Sequence, residues 1–244
     1  MSASIYKDLG WLQTPTDFQG AYAWIAASKA DCSQELIALA SHSLRNTQLG
    51  QLSHLLKKVR GRGTPLAGLT PYRLGILGNG TLDLLVPALE ATALRMGFLL
   101  DCVLCGFGQA VTEALDPESQ INTSGCDGVL IALDYRGLPL KASVIHPDEA
   151  HASVQSALSL LSAMCASLRQ NTPGVHVMVH TLAPPAETLF GNFEKRVLGS
   201  LAQIIDALNQ QIVQTLTGDG CALLDMAALA QTVGVAEWHS HMQW

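Results

Sequence analysis

The chain has 244 residues, a net charge of −6, and only 14% charged residues against 48% hydrophobic ones. This acidic, sparsely charged balance excludes nucleic acid as a partner, since phosphate neutralisation needs clustered Lys and Arg; it also predicts a face normally covered by something else. Six cysteines, at 32, 102, 105, 126, 165 and 221, lie scattered in mostly apolar runs without the spacing of a disulfide scaffold. The opening Met1–Asp8 lacks the apolar core of a signal peptide, and no apolar stretch reaches the ~20 residues that span a bilayer. A reduced, cytoplasmic protein without a membrane span is expected.

In chain order, residues 1–70 read as a helical appendage. Asp31 or Ser33 caps a helix through Leu44. Asn46 is the N-cap of another, whose Leu49, Leu52, Leu55, Leu56 and Val59 form one apolar stripe. That helix ends in the basic cluster Lys57, Lys58, Arg60 and Arg62, where cations suit a helix C-terminus. Gly61–Pro65, Gly68 and Pro71 then read as a linker.

From residue 71 to 244 the rhythm is strand, loop, helix. Strands are predicted at 72–77, 98–104, 128–133, 175–181 and 221–225. The loop after the first runs to about Leu84, so that Pro87 falls in the first turn of a helix ending at Met96, with Gly97 as C-cap. Pro147 opens a long helix to Arg169, and another runs from Glu194 to Leu216. Short buried strands separated by helices imply a three-layer α/β/α domain around a parallel sheet with right-handed crossovers, its five strands ordered 2-1-3-4-5. The ligand site of such a sheet lies at the carboxyl ends of its strands, which gathers Gly78–Thr81, Asp134–Arg136 and Thr181–Pro185 around one crevice.

Gly78-Asn79-Gly80-Thr81 can cradle an anion or present a hydroxyl, but neither GxGxxG nor GxxxxGK[ST] follows, and no nucleotide or other cofactor is expected. Asp134 ends an apolar strand, where a carboxylate must be solvated, paired or used to cap the next turn. Cys102 and Cys105 form a CxxC on a strand, so their side chains point to opposite faces and no metal site is expected. Of the two, Cys105 stands at the functional end. His176 and His180 share one face of the fourth strand; His180 alone reaches the crevice. His239 and His241 supply two late imidazoles, and a base is required if Thr81 is to act as a nucleophile.

Four segments together resemble the N-terminal region of the FkbH-like proteins: Tyr72-Arg-Leu-Gly-Ile-Leu-Gly-Asn-Gly-Thr81, Asp116-Pro-Glu-Ser119, Leu182-Ala-Pro-Pro185 with Gly191-Asn192, and Trp238 to Trp244. The resemblance covers roughly residues 35–244. It implies an SGNH-hydrolase-like domain that a haloacid-dehalogenase-type phosphatase domain follows. It also implies a role in loading glyceryl or related small acyl units onto an acyl carrier protein in polyketide biosynthesis. The phosphatase motif DxDx[TV] does not occur in these residues, so the chain is expected to be the N-terminal half of such a protein, cut after Trp244.

The family's GDS element falls on Gly78, Asn79 and Gly80, so the nucleophile position holds a glycine and Thr81 stands one residue late. Gly106 matches the second-strand glycine. Asp134 stands where the family has an Asn, and Trp238-His239-Ser240 replaces Trp-x-Asp, leaving His239 or His241 as the late imidazole. The resemblance thus implies catalytic candidates Thr81, His239 and His241, and binding candidates Gly78, Asn79, Gly80, Gly106, Asp134 and Arg136. Three functions follow from it. The first is a carrier-recognition module with a degraded hydrolase site. The others are an active acyltransferase or esterase using Thr81, and a structural partner of the phosphatase domain.

Overall fold

Leucines at helical spacing build the first part of the chain. The structure is a computed structural model, and the residues it describes are 12–239. Three helices, α1 (Phe18–Ala27), α2 (Ser33–Ala40) and α3 (Asn46–Gly61), come first. The α3 stripe read from the sequence, Leu49, Leu52, Leu55, Leu56 and Val59, is buried. The residue flanking this helix is Arg45 rather than Asn46, and its N–H donates to Gln48 Oε1 at 2.9 Å. In α2, Asp31 Oδ1 accepts from the Ser33 N–H at 2.9 Å. This helix stops four residues earlier than expected, at Ala40, where the Ser41 hydroxyl turns back onto the Ile37 carbonyl.

The chain then alternates as β1 (Thr70–Gly78), α4 (Leu85–Ala93), β2 (Phe98–Leu104), α5 (Ala110–Leu115), α6 (Gln120–Thr123), β3 (Gly128–Ala132) and α7 (Pro147–Asn171). It continues as β4 (His176–His180), α8 (Leu201–Gln211), β5 (Ala222–Leu224), α9 (Met226–Val233) and α10 (Val235–Trp238). The five strands form one parallel sheet in the order β2-β1-β3-β4-β5, flanked by helices. In register, Val129 lies beside Val177 and Val179 beside Leu223. Among the described residues no helix is long and apolar enough to cross a membrane.

Pro87 is the third residue of α4, where a missing N–H costs no helical bond. A 3-10 turn (Leu94–Met96) follows, and Gly97 at φ +78° closes it. A Cβ there meets nothing within 4 Å, so a side chain costs only backbone strain. Gly97→Ala is expected to lower stability by about 1 kcal/mol, read as a shift in the urea midpoint at unchanged slope. The helix expected from Glu194 begins only at Leu201, because Gly199 (φ +80°) and the Ser200 N-cap break the pattern; residues Gly191–Arg196 form a 3-10 turn instead.

The chain falls into two compact units. One comprises the residues up to Leu74 with Thr81–Cys102, the other Gly75–Gly80 with the residues from Val103 onward. Each has its own core. In the first, Ile25, Leu36, Leu52, Leu55, Leu56 and Leu94 are buried, and the buried Glu90 carboxylate accepts from the Ser53 hydroxyl at 2.7 Å and faces Lys57 Nζ at 3.1 Å. In the second, Val129, Ile131, Val177 and Val179 pack with α7 residues Val154, Ala157, Leu161, Met164 and Leu168 and α8 residues Ile204, Ile205 and Leu208. The α7 spacing of three, four, three and four keeps one face on the sheet. Burying each such large side chain stabilises the fold by about 1.5–3 kcal/mol.

Candidate functional site

At the carboxyl end of the sheet two of the three loops expected to meet do so through one reciprocal pair. Asn79, one residue past β1, donates its side-chain amide to Asp134 Oδ1 at 2.6 Å, and the Asp134 backbone N–H donates to Asn79 Oδ1 at 2.9 Å. Asp134 also caps the 3-10 turn Tyr135–Gly137, accepting from the N–H groups of Arg136 (2.8 Å) and Gly137 (3.2 Å). Its second oxygen accepts from the Arg136 guanidinium at 3.2 Å, and that guanidinium lies 4.6 Å over the Tyr135 ring. Gly137 must be a glycine for this pair to close, since a Cβ would lie 2.8 Å from Asn79 Cγ. Burial opposes ionisation of Asp134, but the donors from Asn79, Arg136 and Gly137 outweigh it and hold the carboxyl below its ordinary pKa.

The end of β2 is tied in the same manner. The Gly78 N–H donates to Cys105 Sγ at 3.4 Å, and the Gly106 N–H donates to Glu113 Oε1 at 2.7 Å. Glu113 is buried, and its other oxygen, Oε2, has no hydrogen-bond partner among the described residues. Burial is the main cause pushing the Cys105 thiol up, so this is a packed thiol rather than an activated one. Gly80 is exposed, and a Cβ built on it meets nothing within 4 Å. The position that the resemblance gives to the nucleophile therefore has room for a side chain and lacks one. Thr81 is exposed and belongs to the other compact unit.

Two imidazoles stand near the end of β4. His180 Nδ1 donates to the Thr181 carbonyl at 2.8 Å, which leaves the lone pair on Nε2. Burial lowers its pKa; the Thr181 carbonyl and the Asp134 charge act the other way. His239 Nε2 donates to the Pro184 carbonyl at 2.9 Å, which ties the residue after α10 to the loop after β4. The hydrogen bonds these imidazoles make among the described residues thus go to backbone carbonyls. His241, with Ser240 and Trp244, lies outside the described residues. The Thr181 hydroxyl donates to Asp225 Oδ1 at 2.8 Å and accepts the Ala227 N–H at 2.9 Å, which fixes the start of α9 against the end of β4.

No protein-family model and no curated protein matches the chain. Two of the solved structures that match the chain are the following. One is the N-terminal part of a Bacteroides fragilis protein that contains a phosphatase domain, solved with magnesium, with 14% identity and a TM-score of 0.64; the match covers 79% of this chain and 48% of that one. The chain therefore spans about half the length of that solved protein. The other, from the same species and described as a candidate acylhydrolase, is 16% identical with a TM-score of 0.41, covering 64% of this chain and 68% of that one. At these identities the first likeness is one of fold.

Sequence reasoning named Gly78, Asn79, Gly80, Gly106, Asp134 and Arg136 but missed Glu113, the group that occupies the Gly106 N–H. Its signal is faint. Glu113 faces inward on α5, a helix of six residues too short to show an apolar stripe. Around the crevice end, the loops after β2, β3 and β4 carry Phe107, Ile145 and Leu189, each more than 80% exposed, with Phe193 and Leu198 also exposed. Among the described residues no group of three or more His, Cys, Asp or Glu side chains is placed to hold a metal ion.

Proposed function

We propose that this domain is a recognition module of an FkbH-like protein. It would receive an acyl carrier protein and its small acyl unit, the glyceryl type among them, without catalysing hydrolysis itself. One observation carries this reading. Of the two donors that an SGNH site aims at an oxyanion, the Gly106 N–H is here spent on Glu113, and the position of the Asn is held by Asp134, a carboxylate that itself accepts from the Asn79 amide. An oxyanion forming beside them would meet two carboxylates instead of free donors.

Recognition needs an apolar lining and an orienting charge, and both are at hand. Phe107, Ile145 and Leu189 are exposed on the loops after β2, β3 and β4, and Arg136 is 65% exposed with its guanidinium stacked on Tyr135. Carrier proteins present an acidic surface, so a cation here suits the encounter. The phosphatase domain that the resemblance implies would act on the phosphorylated donor, leaving this unit the task of presenting the carrier.

Two measurements test the proposal. Hydrolysis of p-nitrophenyl acetate should stay near background in wild type, in Thr81→Ala and in Gly80→Ser, since the added hydroxyl still faces occupied donors. Turnover that vanishes in Thr81→Ala and in His239→Ala or His241→Ala would make the domain an esterase or acyltransferase. Titration with the carrier protein should show Arg136→Glu weakening binding about tenfold more than Arg73→Glu, with the difference shrinking in high salt. Arg73, which pairs with Asp101 at 3.0 Å, is the control. Absence of carrier binding, or equal effects of the two substitutions, would leave a structural partner of the phosphatase domain.

A further inference from the structure

The first compact unit holds a cation that pairs with none of its carboxylates. α2 stops at Ala40, and the chain turns through His42 and Ser43 before α3 begins. The Ser43 N–H donates to the Gln13 carbonyl at 2.9 Å, which ties this turn to the segment before α1. The 3-10 turn Leu94–Met96, at the end of α4, packs against α2 and brings Arg95 to the same place. His42, Ser43, Thr92 and Arg95 line a small cleft that opens to the surface, together with Leu12, Leu44 and Leu49. All of these residues belong to the first compact unit.

Arg95 is only partly exposed, and its Nε is buried without a hydrogen-bond partner. Other cations of the unit are paired, Lys57 with Glu90 and both Arg60 and Arg73 with Asp101. No ion pair among the described residues includes Arg95, and no Asp or Glu lines the cleft. A guanidinium does not escape this by losing its proton. A charge drawn out of water without a partner is unfavourable, so the cleft is complementary to an anion.

The remaining lining narrows the choice of anion. The Thr92 hydroxyl is committed, donating to the Ala88 carbonyl at 2.7 Å. His42 Nδ1 donates to the Ala38 carbonyl at 2.9 Å, which leaves the lone pair on Nε2. Arg95 is thus the one fixed charge lining the cleft, a match for a monoanion, whereas a dianion such as phosphate keeps one charge uncompensated. A planar carboxylate suits the guanidinium fork. Leu44 and Leu49 are buried and Leu12 is half-buried, so the same cleft offers aliphatic contact.

We propose that this cleft binds a short-chain monocarboxylate, whose carboxylate pairs with Arg95 and whose aliphatic end packs on Leu12, Leu44 and Leu49. The Ser43 hydroxyl supplies a further donor to the carboxylate. The site lies within the first compact unit and rests on neither the crevice nor a carrier.

The test titrates the full chain with sodium propionate, exchanged for chloride at constant ionic strength, and follows the Arg95 Nε–H and the His42 ring by NMR. A saturable shift is expected, with a dissociation constant in the millimolar range because so small a ligand has few atoms to bury. Butyrate should bind up to about fourfold more tightly than propionate, the effect of one buried methylene, and phosphate more weakly than either. Arg95→Gln should abolish saturation at the His42 ring. Arg73→Gln, whose own partner is Asp101, should leave it unchanged. Leu12→Ala should weaken butyrate about threefold more than acetate. No saturable shift, a shift that persists in Arg95→Gln, or phosphate bound more tightly than propionate overturns the proposal. The comparison of anions on the unmutated chain decides it even where a variant fails to fold.

Discussion

Asn79→Asp is expected to destabilise the second compact unit by about 3 kcal/mol at neutral pH, the largest effect of any single substitution at the crevice end. The change removes a donor 2.6 Å from an ionised carboxylate, a bond of the charge-assisted kind worth about 1.5–3 kcal/mol. It also sets a second carboxyl against the first, and two carboxylates that close cannot both ionise. One must take a proton or swing away, and Gly137 packs too tightly against position 79 for an easy retreat. Asp134 has a folded-state pKa below its ordinary value, so in the wild type its contribution is complete above the ordinary carboxylate range. That contribution is lost as pH falls through the depressed folded pKa. The deficit of Asn79→Asp should therefore be greatest at neutral pH and shrink in acid, where the new carboxyl takes a proton and can donate in the amide's place. Combining Asn79→Asp with Asp134→Asn should recover at least about 1 kcal/mol of it, since one amide and one carboxylate again face each other. Recovery is incomplete because the new amide must cap the Arg136 and Gly137 N–H groups with a single oxygen. Urea melts at neutral and acid pH read all of this, and a double variant no better than the sum of the singles would mean that the pair is not coupled.

How much of this could be read from the chain depends on how local the determining physics is. The strands at 98–104 and 128–132 are largely apolar, the first interrupted only by Asp101, and are bounded by glycine or a turn; the sequence marked them within a residue. Pro87 fixed the start of α4 because a ring that clashes with the preceding turn fits only in the first turn of a helix. The expected helix from Glu194 illustrates the opposite case. Its apolar spacing looks continuous, yet Gly199 adopts a left-handed φ in a position where a Cβ would lie 2.1 Å from the Ser143 carbonyl. That contact comes from a loop more than fifty residues away and leaves no periodic trace. The site follows the same rule. Strand order alone brings residues 78–81 and 134–136 to one end of the sheet, so the meeting of Asn79 with Asp134 and Arg136 was legible. The pairing that decides their chemistry, amide to carboxylate and Gly106 to Glu113, is a matter of side-chain geometry that spacing does not encode.

The basic helix end offers the second large effect and a correction to a simple reading of charge. In the sequence Lys57, Lys58, Arg60 and Arg62 read as cations that suit a helix C-terminus. In the structure Lys57 is turned onto Glu90, whose side chain is 6% exposed, with Nζ 3.1 Å from Oε2, and Arg60 lies 3.9 Å from Asp101. Part of the basic cluster is thus engaged within the helical unit. Removing one partner of an ion pair leaves the buried member uncompensated, which costs about 3–5 kcal/mol where both charges are buried. Lys57 is itself 55% exposed, and Ser53 still donates to the carboxylate, so Lys57→Met is expected to cost less, about 2–3 kcal/mol. Adding Glu90→Gln should restore most of that loss, because the neutral amide oxygen continues to accept from the Ser53 hydroxyl and no buried charge is left without a partner. Glu90→Gln alone should be mild, at about 1 kcal/mol, since an exposed ammonium without its partner is solvated by water. Denaturation of the four proteins closes the cycle. A double variant as unstable as Lys57→Met would mean that Lys57 acts through its aliphatic packing, and the cluster would then be free to serve as a docking face.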